Sequence, residues 1–90
     1  MTEFTYFYTP VCGTCKLAER FVDIAEQLPG TEKVSRLDIN EHPDLAQKWQ
    51  ITSVPCLMKV IDGQPEDRMY AFRDVPRVVQ FIQKSKGEHS

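Results

Sequence analysis

Two cysteines spaced as Cys12-Gly13-Thr14-Cys15 fall at the junction of two different residue patterns. Before them, Phe4-Thr5-Tyr6-Phe7-Tyr8-Thr9 is aromatic and β-branched, the composition of a strand. After them, Ala18, Phe21, Val22, Ala25 and Leu28 recur three or four residues apart. Leu17 and Ile24 widen that stripe, so a helix is expected over 17–28. On spacing alone the pair suits a redox dithiol, half of a zinc site or an incidental arrangement. The seam narrows this choice. It delivers Cys12 to a helix N-terminus, where unpaired N–H groups and the positive end of the helix dipole favour a thiolate.

Aromatics on both faces of the first strand imply a central position, covered on both sides, and Pro10 ends it. Pro29-Gly30 stops the helix. Lys33 to Ile39 reads as a second strand, with Val34, Leu37 and Ile39 as its apolar members. His42-Pro43 opens a second helix that carries Leu45, Ala46 and Trp49 and ends near Gln50. Strand, helix, strand through a right-handed crossover makes the first two strands parallel neighbours. Cys56 to Ile61 is a third strand and Asp62-Gly63 a turn. Arg68 to Phe72 is expected as an antiparallel return, with Gln64-Pro65-Glu66-Asp67 loosening the hairpin. Asp74 caps a last helix from Val75 to about Lys84, with Val75, Val78, Val79 and Ile82 on one face. The expected organisation is one domain over 1–84 and a flexible polar tail over 85–90.

The charge balance excludes several classes of function. A net charge of −2 with no basic block argues against nucleic acid or a membrane surface as partner. No apolar run approaches the roughly 18 residues of a membrane span, and the N-terminus lacks a signal-peptide layout. Three cysteines, an odd number, do not make a secreted disulfide framework, so a reducing cytoplasm is expected. His42 and His89 are too isolated to suggest a metal site.

The order β-α-β-α-β-β-α with Cys-x-x-Cys after the first strand resembles the thioredoxin fold, an α/β fold with a mixed sheet. Val11-Cys12-Gly13-Thr14-Cys15-Lys16 is similar to the thioredoxin active-site run, with Val11 and Thr14 where that family usually has Trp and Pro. Val34 to Asn40 resembles its second core strand, and Ile51-Thr52-Ser53-Val54-Pro55 resembles the segment ending in its cis-proline. The chain begins at the central strand, which implies a four-stranded sheet with three helices, the size of a glutaredoxin core. Tyr8-Thr9-Pro10-Val11-Cys12 and Ser53-Val54-Pro55 are also similar to glutaredoxin segments. Where glutaredoxins carry a Gly-Gly and acidic pair that grips glutathione, this chain has Ala71-Phe72-Arg73-Asp74, and the bulk of Phe72 argues against that site.

The resemblance implies a thiol–disulfide oxidoreductase with Cys12 as nucleophile and Cys15 as resolving thiol, working through a mixed disulfide. Val11, Gly13, Thr14, Val54 and Pro55 then form the substrate-binding surface, with the Val54 backbone free to pair with an extended segment. Thr14 in place of proline is expected to move the pair somewhat toward oxidising. Tyr6 stands where thioredoxins bury an acid, and Arg36 where they carry a lysine that influences it; both are expected near the buried side of the cysteine pair. Cys56, directly after Pro55, is expected close to Cys12 and Cys15, either as a third thiol or as a small buried start to a strand. The implied partners are protein or small-molecule disulfides and a thioredoxin reductase; no cofactor or metal is required, and a monomer is expected. The alternatives are a glutathione-dependent, glutaredoxin-like reductase, a disulfide isomerase, and a binding module in which Cys12, Cys15 and Cys56 hold a metal.

Overall fold

A computed structural model describes residues 1–83. The last stretch of the expected domain, Lys84, and the expected tail, with His89, lie outside the described residues. Strands β1 (Thr2–Tyr8), β2 (Val34–Asp38), β3 (Cys56–Ile61) and β4 (Gln64–Met69) form one sheet in the order β2-β1-β3-β4. β1 runs parallel to β2 and antiparallel to β3, and β3 runs antiparallel to β4. The helices are α1 (Gly13–Glu26), α2 (Pro43–Lys48) and α3 (Val75–Ile82), and a 3-10 turn over Ile39–Glu41 precedes α2.

β1 is the central strand, and the period-2 alternation of its side chains divides the core in two. Phe4 and Tyr6 project toward α1 and α3, into a cluster with Ala18, Val22, Leu57, Val78 and Ile82. Phe7 projects the other way, into a cluster with Cys56, Met58 and Val60 that Leu45, Trp49 and Ile51 cover. Trp49 meets Phe7 edge-on, with ring centroids 6.2 Å apart. Asp74 caps α3 by accepting the Arg77 N–H at 2.9 Å, and α3 ends at Ile82.

Three expectations need correction. The helix expected over 17–28 starts at Gly13 and ends at Glu26, and its buried face is Cys15, Ala18, Val22 and Ala25. Leu17, Ile24 and Leu28 are exposed, because small residues on the inner face let α1 lie close to the sheet and leave the wider stripe outside. The return strand is Gln64–Met69, not Arg68 to Phe72, and the hairpin is tight: Ile61 pairs directly with Gln64 across Asp62-Gly63. Both turn residues have positive φ, 52° and 83°, the geometry that matches a two-residue connection to strand twist. β4 is an edge strand, so its polar sequence meets solvent, and Pro65 is tolerated there beside a register shift at Lys59/Val60.

Candidate active site

The site grows out of the β1–α1 junction. Cys12 is the N-cap of α1, with extended backbone (φ −93°, ψ 114°), and its sulfur accepts the Cys15 N–H at 3.2 Å. A sulfur thus takes the place usually held by a serine or aspartate oxygen at a helix start. The Thr14 hydroxyl lies 3.2 Å from the same sulfur. Cys12 is partly exposed, whereas Cys15, in the first turn of α1, is buried. Both thiols are free.

These surroundings split the two thiols. Hydrogen bonding from the Cys15 side chain, then from Thr14, holds the Cys12 thiol below its ordinary value, since each favours the negative form. Burial, then the same bond to Cys12, pushes the Cys15 thiol up. One sulfur is set up as an exposed thiolate and the other as a buried thiol behind it.

Tyr6 lies beneath the pair. Its hydroxyl, fully buried, donates to the Cys15 carbonyl at 2.6 Å. Burial, then the neighbouring Cys15, pushes the phenol far above its ordinary value, so it remains a neutral donor. Phe72 packs edge-on against Tyr6, with centroids 5.8 Å apart, and Tyr8 stacks on its other side at 6.1 Å.

Val11, Gly13 and Thr14 are exposed around Cys12, Val11 to 93%. The Val54–Pro55 peptide bond is cis. Pro55 joins Thr14, Leu17, Ala18, Tyr70 and Phe72 in lining a hollow of about 340 Å3 beside the cysteines. Phe72 therefore occupies part of the surface next to the thiols. Tyr70 is not legible as a site residue, because it falls beyond the end of β4 and its sequence neighbours carry no motif. Its hydroxyl accepts the Thr52 N–H at 3.3 Å and so ties the β4 end to the segment leading into Pro55.

Two expected members of the site lie elsewhere. Cys56 pairs in register with Phe7, not Tyr6, and its side chain enters the α2-side cluster on the opposite face of the sheet from α1. It is wholly buried, and that burial pushes its thiol up to about 11. The expected proximity of Cys56 to Cys12 and Cys15 is thus overturned by strand parity, and with it the three-thiolate metal site. Among the described residues no group of three His, Cys, Asp or Glu side chains is arranged to hold a metal ion. Arg36 is the second. Its guanidinium donates to Glu26 at 3.0 Å and to Asp23, and Glu19 lies 3.9 Å away. Asp23 lies 11 residues beyond Cys12, a rise of roughly 16 Å along the helix. Arg36 therefore ties β2 to the far half of α1 instead of facing the thiols.

A family model described as Thioredoxin matches residues 3–84. The chain belongs to the thioredoxin family. Among curated relatives of this thioredoxin-family chain, the thioredoxin-like protein YusE of Bacillus subtilis is 32% identical over 85 residues, 94% of this chain and 80% of the relative. Thioredoxin of Staphylococcus aureus is 30% identical over 79 residues, covering 87% of this chain and 76% of its own. Among solved structures, a point mutant of thioredoxin from Halobacterium salinarum superposes with a TM-score of 0.75 at 27% identity, over 90% of this chain and 71% of that one. The family and the close Cys12/Cys15 pair make this protein a thiol–disulfide oxidoreductase with a thioredoxin fold. Among the described residues no helix is long and apolar enough to cross a membrane.

Proposed function

We propose that this protein reduces disulfides through a two-step dithiol mechanism, with Cys12 as nucleophile and Cys15 as resolving thiol. The observation that carries the reading is the Cys12 sulfur at the start of α1, held by the Cys15 N–H and the Thr14 hydroxyl. The Cys12 thiolate attacks one sulfur of a substrate disulfide, that S–S bond breaks, and the departing thiolate takes a proton from water. The product is a mixed disulfide at Cys12. Cys15 then loses its proton and attacks the Cys12 sulfur, which expels the second substrate thiolate and leaves a Cys12–Cys15 disulfide. Two electrons have passed to the substrate, and a dithiol donor must return them: dithiothreitol in an assay, a thioredoxin reductase in the cell.

Val11, Gly13 and Thr14 border the substrate cystine in this reading, and the Val54 backbone beside Pro55 pairs with an extended substrate segment. The substrates are protein or small-molecule disulfides, the protein acts as a monomer, and its cysteine usage suits a reducing cytoplasm. A glutathione-dependent mechanism is disfavoured by Phe72, whose ring packs on Tyr6 in the hollow beside the thiols. Insulin reduction with dithiothreitol tests the activity. A Cys15→Ser variant should accumulate a mixed disulfide at Cys12 that wild type does not, visible as adduct mass. A Cys12→Ser variant that still reduces insulin at the wild-type rate would refute the assignment.

A further inference from the structure

An open groove of about 540 Å3 leads away from the redox site along the end of β4 to the start of α3. Its lining is Arg68, Met69, Tyr70, Ala71, Arg73 and Arg77: three guanidinium groups and no carboxylate. Tyr70 also lines the hollow beside Thr14 and Pro55, so the two depressions share a wall. The three arginines differ in role. Arg68 donates to the Trp49 and Gln50 carbonyls at 2.8 and 3.1 Å, which fixes it as part of the wall. Arg73 and Arg77 are exposed and form no salt bridge with any described residue. The nearest acid in sequence, Asp74, spends one carboxylate oxygen on the Arg77 backbone N–H. Asp67 lines the neighbouring hollow of about 260 Å3 and not this groove. On a chain of net charge −2, this is a local concentration of positive charge beside the thiols.

We propose that this arginine-lined groove binds the acidic flank of an extended polypeptide substrate while its cystine lies at Cys12. The proposal rests on the dithiol reading above and adds to it the substrate class. Charge complementarity selects the occupant: guanidinium groups bind carboxylates in a bidentate fork, and a polypeptide carrying acids near its cystine presents them at the right range. The groove also follows the end of β4, the sheet edge, where an extended chain can lie. Arg73 and Arg77 are specificity-determining residues in this scheme and take no part in the sulfur chemistry. Exposed pairs of this kind are individually modest, and they act on encounter as much as on final affinity.

The test uses three synthetic peptides with the same cystine and a Glu-Glu, Gln-Gln or Lys-Lys flank, reduced by the full-length protein with dithiothreitol as donor. In low salt, kcat/KM for the Glu-Glu peptide should exceed that for the Gln-Gln peptide about fivefold, which is about 1 kcal/mol. The Lys-Lys peptide should fall below both. The preference should collapse in an Arg73→Glu, Arg77→Glu double variant, return in the double lysine variant, and shrink at about 0.5 M salt, where the screening length is only about 4 Å. The Gln-Gln peptide should react at the wild-type rate throughout, which shows that the variants are folded. Equal rates on all three peptides, or a preference for acid that survives charge reversal, would overturn the proposal and leave the dithiol reading intact. Failure of wild type to reduce any of the peptides or insulin would overturn the dithiol reading, and the proposal with it.

Discussion

Removing the Tyr6 hydroxyl isolates the one buried polar contact beneath the redox pair. Tyr6→Phe keeps the ring, its edge contact with Phe72 and its stacking on Tyr8, and deletes only the donor to the Cys15 carbonyl. The bond is short, at 2.6 Å, and wholly buried, but the carbonyl it serves lies in the first turn of α1 and keeps its helical partner. The acceptor is therefore not orphaned, and the loss should fall in the ordinary net range of about 0.5–1.5 kcal/mol. In a domain of this size each 1 kcal/mol moves Tm by about 4–8 °C. Truncation to alanine would instead open a cavity and cost about 3–5 kcal/mol. The hydroxyl also favours the Cys15 thiolate by hydrogen bonding, against the larger upward push of burial. Its removal should raise the Cys15 thiol further and displace the pH profile of the resolving step upward, with Cys12 alkylation little changed. Urea unfolding of the reduced protein measures the first effect, and stopped-flow release of thiol from a pre-formed Cys12 mixed disulfide measures the second. A Tyr6→Phe protein with unchanged stability and an unchanged resolving profile would refute the structural account of this contact.

The same geometry fixes other outcomes. Iodoacetamide should modify Cys12 with a half-rate pH below the free-thiol value of about 8.5, and Thr14→Val should move that midpoint upward because one donor to the thiolate is lost. Cys56, buried and pushed up to about 11, should resist alkylation at pH 8 until the protein unfolds, as mass spectrometry of native and urea-treated samples would show. Arg36→Met should cost about 1–3 kcal/mol at pH 7, because Glu26, itself partly buried, loses its main partner. Burial works against the ionised Glu26, but Arg36 and the Val34 N–H outweigh it and hold the carboxyl below its ordinary value. The stabilisation is thus complete above the unfolded carboxyl pKa of about 4.3 and is lost as pH falls through the lower folded value, so the Arg36→Met penalty should shrink between about pH 5 and pH 3. Gly63→Ala should destabilise by about 1–2 kcal/mol through backbone strain alone, since φ is +83° and nothing lies within 4 Å of an added Cβ; denaturant melts check it.

Much of this architecture is legible from periodicity and punctuation. The aromatic first strand, the Cys12 seam, the Val34 strand, the Cys56–Ile61 strand and the Asp74 cap all appear where residue chemistry puts them. β4 escapes a pattern-based reading for a physical reason. An edge strand owes its existence to backbone pairing with β3, and Gln64-Pro65-Glu66-Asp67 needs no apolar alternation when one side faces solvent. The breadth of the α1 stripe misleads as well: Leu17 is apolar but exposed, and it borders the hollow beside the cysteines. Likeness of position points Arg36 toward the thiols. Its side chain answers instead to the carboxylates within reach, Glu26 and Asp23.

Cys56 shows how a single residue of register governs the chemistry available to the molecule. Tyr6 and Phe7 are neighbours in β1, yet one supports the thiols and the other faces α2. Because Phe7 pairs with Cys56 and Tyr6 with Leu57, the third sulfur follows Phe7 to the far face. Adjacency to Pro55 in sequence could not reveal this, since consecutive strand residues point to opposite faces. The separation has a chemical consequence. A third thiol beside Cys12 would compete with Cys15 for the mixed disulfide, whereas a thiol buried behind the sheet leaves Cys15 as the only described sulfur on the Cys12 side. The packing that hides Cys56 therefore also keeps the resolving step unambiguous, and a Cys56→Ala variant should retain wild-type turnover while losing some stability to the small cavity it leaves. A Cys56→Ala protein with altered partitioning of the mixed disulfide would show that the two faces communicate.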